Sequence, residues 1–216
     1  MKKPRVIMAD DHSLILAGLR KLVEMDYEVV ATVEDGRALI DMAQKLRPDL
    51  ILMDISMPLL NGLDAARQLT KLVPESKLIF LTMHASATYA TEAFEAGASG
   101  YLLKRSAASE LSQAITTVLR GHHYLTPLIT KDVLESILKP STGERGKLVS
   151  TAALTPRQRE VLQLVAEGRG TKEIATILGV SVKTVEFHKS RIMQQLDLHT
   201  TADLTKYAIT HGITGL

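Results

Sequence analysis

Asp49-Leu50-Ile51-Leu52-Met53-Asp54-Ile55-Ser56-Met57-Pro58 decides the fold of the first half of this 216-residue chain. Leu50 to Met53 reads as a strand that ends on an acid, and the chain then passes into a turn-rich loop, Met57-Pro58-Leu59-Leu60-Asn61-Gly62. The same pattern recurs on either side. Val6-Ile7-Met8-Ala9 runs into Asp10-Asp11, Leu78-Ile79-Phe80-Leu81 into Thr82, and Tyr101-Leu102-Leu103 into Lys104. A further strand, Tyr27 to Val33, precedes Asp35-Gly36. Helical spacing separates the strands: Leu14, Ile15, Leu19, Leu22 and Val23 after the first, Leu39 to Leu46 after the second. Asp64 to Leu72, Thr88 to Glu95 and Ala107 to Leu119 follow, the last stopped by Gly121. Strand and helix alternating in this way predict βαβ units and a doubly wound, five-stranded parallel sheet.

Ligands bind such sheets at the carboxyl ends of the strands. That edge collects Asp10, Asp11, Asp54, Thr82 and Lys104. Three converging carboxylates repel one another unless a cation sits between them, and Mg²⁺ suits a few carboxylate and carbonyl oxygens completed by water. One carboxylate can then act as a nucleophile toward a phosphoryl group. Lys104 supplies a point charge and Thr82 a hydrogen bond to the phosphoryl oxygens. His12 is expected at the start of the first helix, outside the coordination shell, and His122-His123 in solvent.

The bulk numbers narrow the class. The chain is 45% hydrophobic and has no cysteine, which excludes a disulfide framework and a thiolate metal site. Its apolar runs are well short of the ~20 residues of a membrane span, and its N-terminus lacks the apolar stretch of a signal peptide, so a cytoplasmic protein with no membrane partner is expected. Residues 1–121 carry 14 Lys/Arg against 15 Asp/Glu, and residues 122–216 carry 12 against 9, which leans the second part toward nucleic acid. The cluster Lys139-Pro140-Ser141-Thr142-Gly143-Glu144-Arg145-Gly146 reads as interdomain linker, preceded by a short helix, Lys131 to Leu138. The expected domains are therefore 1–121, a linker over 122–152, and an all-α domain over 153–216.

That last part predicts a helix-turn-helix. Thr155, Pro156 and Gln158 form a capping box with proline at the first helical position. Gly179-Val180 makes a tight turn, and Ser181 caps the next helix. In that helix Val182, Val185, Ile192 and Leu196 fall on one side as core candidates. Lys183, Glu186, Phe187, Ser190 and Gln194 fall on another, with Lys189 and Arg191 flanking within reach of phosphates. An outward Phe187 suits contact with a thymine methyl.

Residues 5–120 resemble the receiver domain of two-component response regulators. The resemblance is carried by Val6 to Asp11, Asp49 to Pro58, Asn61-Gly62, Leu81-Thr82 and Gly97 to Lys104. It implies a sheet order 2-1-3-4-5 and a phosphoryl group accepted by Asp54 from a sensor histidine kinase. It also implies Mg²⁺ on Asp11, Asp54 and the Ser56 carbonyl, with Asp10 acting through a coordinated water, and a switch pair of Thr82 and Tyr101. Arg105 departs from the proline that many receivers have there; Ser56 and His84 occupy variable positions thought to tune phosphoryl lifetime.

Residues 154–212 resemble the LuxR-type four-helix DNA-binding domain, through Leu154 to Leu162, Lys172 to Ala175, Leu178 to His188 and Arg191 to Met193. That likeness implies base-facing Glu186, Phe187 and Ser190 and backbone contacts from Lys183, Thr184, Lys189 and Arg191. It further implies pairing of two domains through Leu204, Tyr207 and Ala208. Together the parts resemble a NarL/FixJ-class regulator, a homodimer on activation that binds double-stranded operator DNA with an inverted repeat. Two rivals stand beside this expectation: a metal-dependent phosphatase or phosphotransferase, and a regulator that works without phosphorylation.

Overall fold

The computed structural model describes residues 3–138 and 154–214. The chain divides into two compact units, one up to Pro140 and one from Ser141. The linker cluster from Lys139 to Gly146 lies outside the described residues.

In the first unit, β1 (Arg5–Ala9), β2 (Glu28–Val33), β3 (Leu50–Met53), β4 (Lys77–Thr82), β5 (Gly100–Leu103) and β6 (Tyr124–Leu125) form one sheet in the order β2-β1-β3-β4-β5-β6. Every pairing is parallel. The connections are α1 (Ser13–Val23), α2 (Gly36–Leu46), α3 (Gly62–Leu72), α4 (Ala87–Glu95) and α5 (Ala107–Leu119). Because successive strand residues point to opposite faces, each central strand serves two cores. Val6, Met8, Leu50, Leu52, Ile79, Leu81 and Leu102 pack with the buried residues of α1 and α5. Ile7, Ala9, Ile51, Met53, Phe80 and Tyr101 pack with those of α2, α3 and α4. Short polar side chains set the helix entries. Asp35 accepts from the backbone of Arg37 and Ala38, Asn61 from Asp64, and Ser86 from Thr88.

The sixth strand departs from the expected five. Residues 122–138, assigned to the linker by the sequence, pack onto this unit instead. The Tyr124 and Thr126 amides donate to the carbonyls of Ser99 and Tyr101, each at 3.0 Å, and so satisfy the outer edge of β5. Glu110 of α5 accepts from the Tyr124 hydroxyl (2.8 Å) and from the Thr126 hydroxyl (2.7 Å) through one oxygen, Oε2. The following helix, α6 (Pro127–Leu138), starts earlier than the Lys131 the sequence predicts. It buries Ile129 and Val133 among the residues of the α4 side, so the segment is held by the core rather than extended.

Among the described residues of the second unit four helices, α7 (Pro156–Ala166), α8 (Thr171–Leu178), α9 (Val182–Leu196) and α10 (Thr201–Thr210), surround a small core. That core contains Leu154, Val161, Leu162, Ile174, Val185, Ile192, Leu204 and Ala208. The capping box at Thr155 and Gln158 is present. Gly179, at φ 62°, closes α8 in the left-handed region that L side chains avoid, and this makes the tight turn into α9. Of the core candidates on α9, Val185 and Ile192 are buried, Leu196 is half-buried and Val182 is exposed at its first turn.

Candidate functional site

The ends of β1, β3, β4 and β5 lie side by side in the sheet. The groups that the sequence placed there come together. Asp10 and Asp54 are buried, and the Lys104 ammonium bridges them, 2.7 Å from Asp10 Oδ2 and 2.7 Å from Asp54 Oδ2. Asp54 Oδ1 accepts from the Ile55 amide at 2.6 Å. Burial alone would lower the Lys104 pKa, but the two hydrogen bonds and charges of Asp10 and Asp54 outweigh it and hold it above the usual lysine value. Lys104 is therefore a fixed cation.

Asp11 is more exposed, and the His12 imidazole stands 2.8 Å from it. Ligand atoms of Asp10, Asp11, His12 and Asp54 all lie within 4.8 Å of one another. His12 stands at the entry to α1, where the sequence places it, with its side chain 59% exposed. The donor set, carboxylates with one exposed imidazole at the rim, suits a hard divalent cation.

Backbone packing holds Asp54 in place. Its amide donates to the Ala9 carbonyl at 2.9 Å, and the Gly62 amide donates to the Ile55 carbonyl at 2.8 Å. Gly62 lies so close that a Cβ there would stand 2.0 Å from the Asp54 carbonyl oxygen, and one on Gly36 would stand 2.0 Å from that of Leu60. Only glycine permits the two loops to close over the strand ends.

Around the rim, one histidine ties several elements together. The His84 ring lies 3.0 Å from the Ser56 hydroxyl and stacks on Tyr89 of α4 at 4.3 Å between centroids. Its amide donates to Thr82 Oγ1 at 3.3 Å, and its carbonyl accepts from the Tyr101 hydroxyl at 2.7 Å. Burial lowers the His84 pKa, and burial raises that of Tyr101. Ser56 and His84 were expected only at variable positions. Their direct contact, and the link to Tyr89, were not legible from spacing. Lys104–Arg105 is a trans peptide, the form favoured by a bond that does not precede proline.

On α9, Lys183, Glu186, Phe187, Ser190 and Arg191 are exposed, while Thr184 and Lys189 are half-buried. The Arg191 guanidinium lies over the Phe187 ring at 5.5 Å, and Lys189 donates to the Thr201 hydroxyl at 3.0 Å. Exposed cations beside an exposed aromatic ring make a surface fit for a polyanion that carries flat bases. Two of the pairing residues expected on α10, Leu204 and Ala208, require correction. Leu204 and Ala208 are fully buried in the unit's own core, and Tyr207 is half-buried against His211, its hydroxyl shielded and without a hydrogen-bond partner among the described residues. Leu204 and Ala208 therefore serve the core of their own unit.

Comparison with known proteins gives a consistent picture. The model of the response regulator receiver domain matches residues 6–116, and that of bacterial regulatory proteins of the luxR family matches residues 152–208. The chain is 36% identical to the transcriptional regulatory protein MctR of Rhizobium johnstonii, over 98% of this chain and 95% of that protein. It is also 36% identical to the oxygen regulatory protein NreC of Staphylococcus carnosus, over 95% of this chain and 96% of that one. Among solved structures it resembles RcsB of Salmonella enterica serovar Typhimurium bound to promoter DNA with the phosphomimetic BeF3⁻. The identity is 28% and the TM-score 0.59, over 97% of this chain and 99% of that chain.

Proposed function

Because the chain belongs to the response regulators that join a receiver domain to a LuxR-type DNA-binding domain, we propose that Asp54 is the residue through which it is switched. It is a transcription regulator of a two-component system, not an enzyme that turns over external phosphate esters. The observation that carries the Asp54 reading is the Lys104 bridge, which fixes one carboxylate oxygen of Asp54 at the end of β3. In this reading an Asp54 oxygen attacks the phosphorus carried on a sensor kinase histidine. The P–N bond breaks, and its electron pair stays with the imidazole. Lys104 then neutralises charge on the phosphoryl oxygens, and Thr82 turns its hydroxyl from His84 toward them.

Asp10, Asp11, Asp54 and the Ser56 carbonyl would hold Mg²⁺, which supplies charge neutralisation at the transferring group. The protein works in the cytoplasm. Two copies place two α9 helices in successive major grooves of an inverted repeat, with Glu186, Phe187 and Ser190 toward the bases and Lys183, Thr184, Lys189 and Arg191 toward phosphates. In this reading the receiver unit runs through α6 and the DNA-binding unit includes the helices from α7 onward. Incubation with a small phosphodonor and Mg²⁺ tests the first step. A phosphoryl mass gain in the wild type that is missing from Asp54→Asn supports it, and equal gain in both overturns it.

One observation favours a second reading, in which DNA binding does not wait for phosphate. In receivers the switch aromatic turns inward on phosphorylation, and here Tyr101 is already fully buried with its hydroxyl on the His84 carbonyl. Unchanged DNA affinity on adding phosphodonor would select this reading.

A further inference from the structure

Helix α6 has two faces. Ile129 and Val133, four residues apart, are buried among Ala90, Ala93 and Tyr101. On the far side Leu128 and Leu138 are 57% and 77% exposed, and on the flank Leu134 is 52% exposed. Exposed apolar residues scattered singly need no explanation, but three exposed leucines on one 12-residue helix are denser than that. Lys131 and Glu135 lie between them, exposed and paired along the helix at 3.8 Å.

We propose that this face pairs, antiparallel, with the same face of a second copy of the chain. The argument is one of symmetry. A two-fold interface must be self-complementary: each residue meets the one that lies equally far on the other side of the axis. Taking the axis opposite the buried Val133, Leu128 and Leu138 stand five residues away on either side, and Lys131 and Glu135 stand two residues away. At 3.6 residues per turn all four fall within about 40° of the direction opposite Val133. Leucine thus meets leucine at both ends, lysine meets glutamate in the middle, and Leu134 closes the flank. Parallel pairing would set lysine against lysine and glutamate against glutamate, which is unfavourable. One centre matches both the apolar and the charged pairs, a coincidence that a partner of different sequence does not require.

The pairing also suits the remainder of the chain. The two Leu138 ends would lie about 15 Å apart along the helix axes. From there residues 139–153 can span up to roughly 50 Å by covalent geometry alone. Two DNA-binding units could therefore reach half-sites about 34 Å apart. Because Ile129 and Val133 share a core with Tyr101 and α4, movement of the switch would tilt α6 and change how well the two faces meet. That last link rests on the Asp54 reading; the pairing itself does not.

A 12-residue helix offers less than a standard interface, so cross-linking reads the contact better than the oligomeric state alone. The chain contains no cysteine, so each introduced thiol is the sole one. Full-length Leu128→Cys and Leu138→Cys are mixed under mild oxidant, before and after treatment with phosphodonor. The expected product is a disulfide between the two variants, formed well in excess of either self-linked dimer. Self-linked dimers equal to or exceeding the mixed one, or no dimer under either condition, overturn the proposal. Lys131→Glu and Glu135→Lys, each tested on that thiol pair, should lower the yield by roughly tenfold, and the two changes together should restore it. No recovery in the combined variant also overturns the proposal. Phosphate uptake at Asp54 confirms that each receiver is folded, and it separates failure of the pairing from failure of the Asp54 assignment.

Discussion

The pocket at the strand ends and the outer face of α9 both collect charged side chains, yet they hold them in opposite ways. In the pocket Lys104, Asp10 and Asp54 have side chains only 4% to 5% exposed and answer one another at 2.7 Å. On α9, Lys183, Glu186 and Arg191 stand in solvent. Charges of the first kind belong to the fold, because removing one leaves the others uncompensated in a desolvated place. Charges of the second kind cost the fold little and are available to a partner. Any change in the pocket should thus register in stability as well as signalling, whereas a change on α9 should register in binding alone.

Substitutions can break that contrast. Asp54→Asn should have the largest effect on signalling, with phosphate uptake from a small donor falling to background. The melting of the DNA-binding unit should stay unchanged, as read by mass spectrometry and calorimetry. Lys104→Ala should cost the receiver about 3 kcal/mol in urea unfolding, since it strands two acids beside Asp11. Added Mg²⁺ should return part of that loss by binding the folded state alone. A receiver as stable as wild type without metal would remove the distinction drawn above.

On α9, Lys183→Ala should weaken DNA binding across unrelated sequences and lower the slope of log affinity against log salt by about 1. Phe187→Ala should reduce binding by roughly tenfold, through lost apolar contact with a base. Both should leave thermal stability within about 0.5 kcal/mol of wild type, and a larger loss would place these residues with the pocket class.

The smallest effect sharpens the comparison at an intermediate site, the Glu110 latch. Tyr124→Phe removes one hydrogen bond, worth about 1 kcal/mol. Burial and then Glu110 raise the Tyr124 pKa to about 12. With the folded value above the ordinary value of about 10, its contribution is fully present below about pH 10 and is lost as pH rises through about 12. Alkaline unfolding curves of wild type and Tyr124→Phe should therefore converge over that window.

The strand-end residues were legible because a parallel sheet converts their order along the chain directly into position. Asp10, Asp54, Thr82 and Lys104 needed only the alternation of apolar runs with helical spacing. The edge strand was not legible, because Tyr124–Leu125 is two residues long and shows no period. Ile129 and Val133 did carry a signal, an i, i+4 apolar pair, but the nearby Pro/Ser/Thr/Gly cluster outweighed it. Leu204 and Ala208 were misread because an apolar stripe looks alike whether it faces its own core or a partner. The contact of His84 with Ser56 joins residues 28 apart in sequence, and no local pattern reports it.

The late strand also bears on how the protein is made. Synthesis is vectorial, and the receiver can begin to fold as it emerges. Until Tyr124 and Thr126 leave the ribosome, the carbonyls of Ser99 and Tyr101 lack the amides that finally cap them. During that interval β5 is a bare sheet edge, open to pairing with a neighbouring nascent chain. A gene fragment ending at Gly121 would make that interval permanent. Its product should be prone to aggregate, whereas one ending after α6 should not.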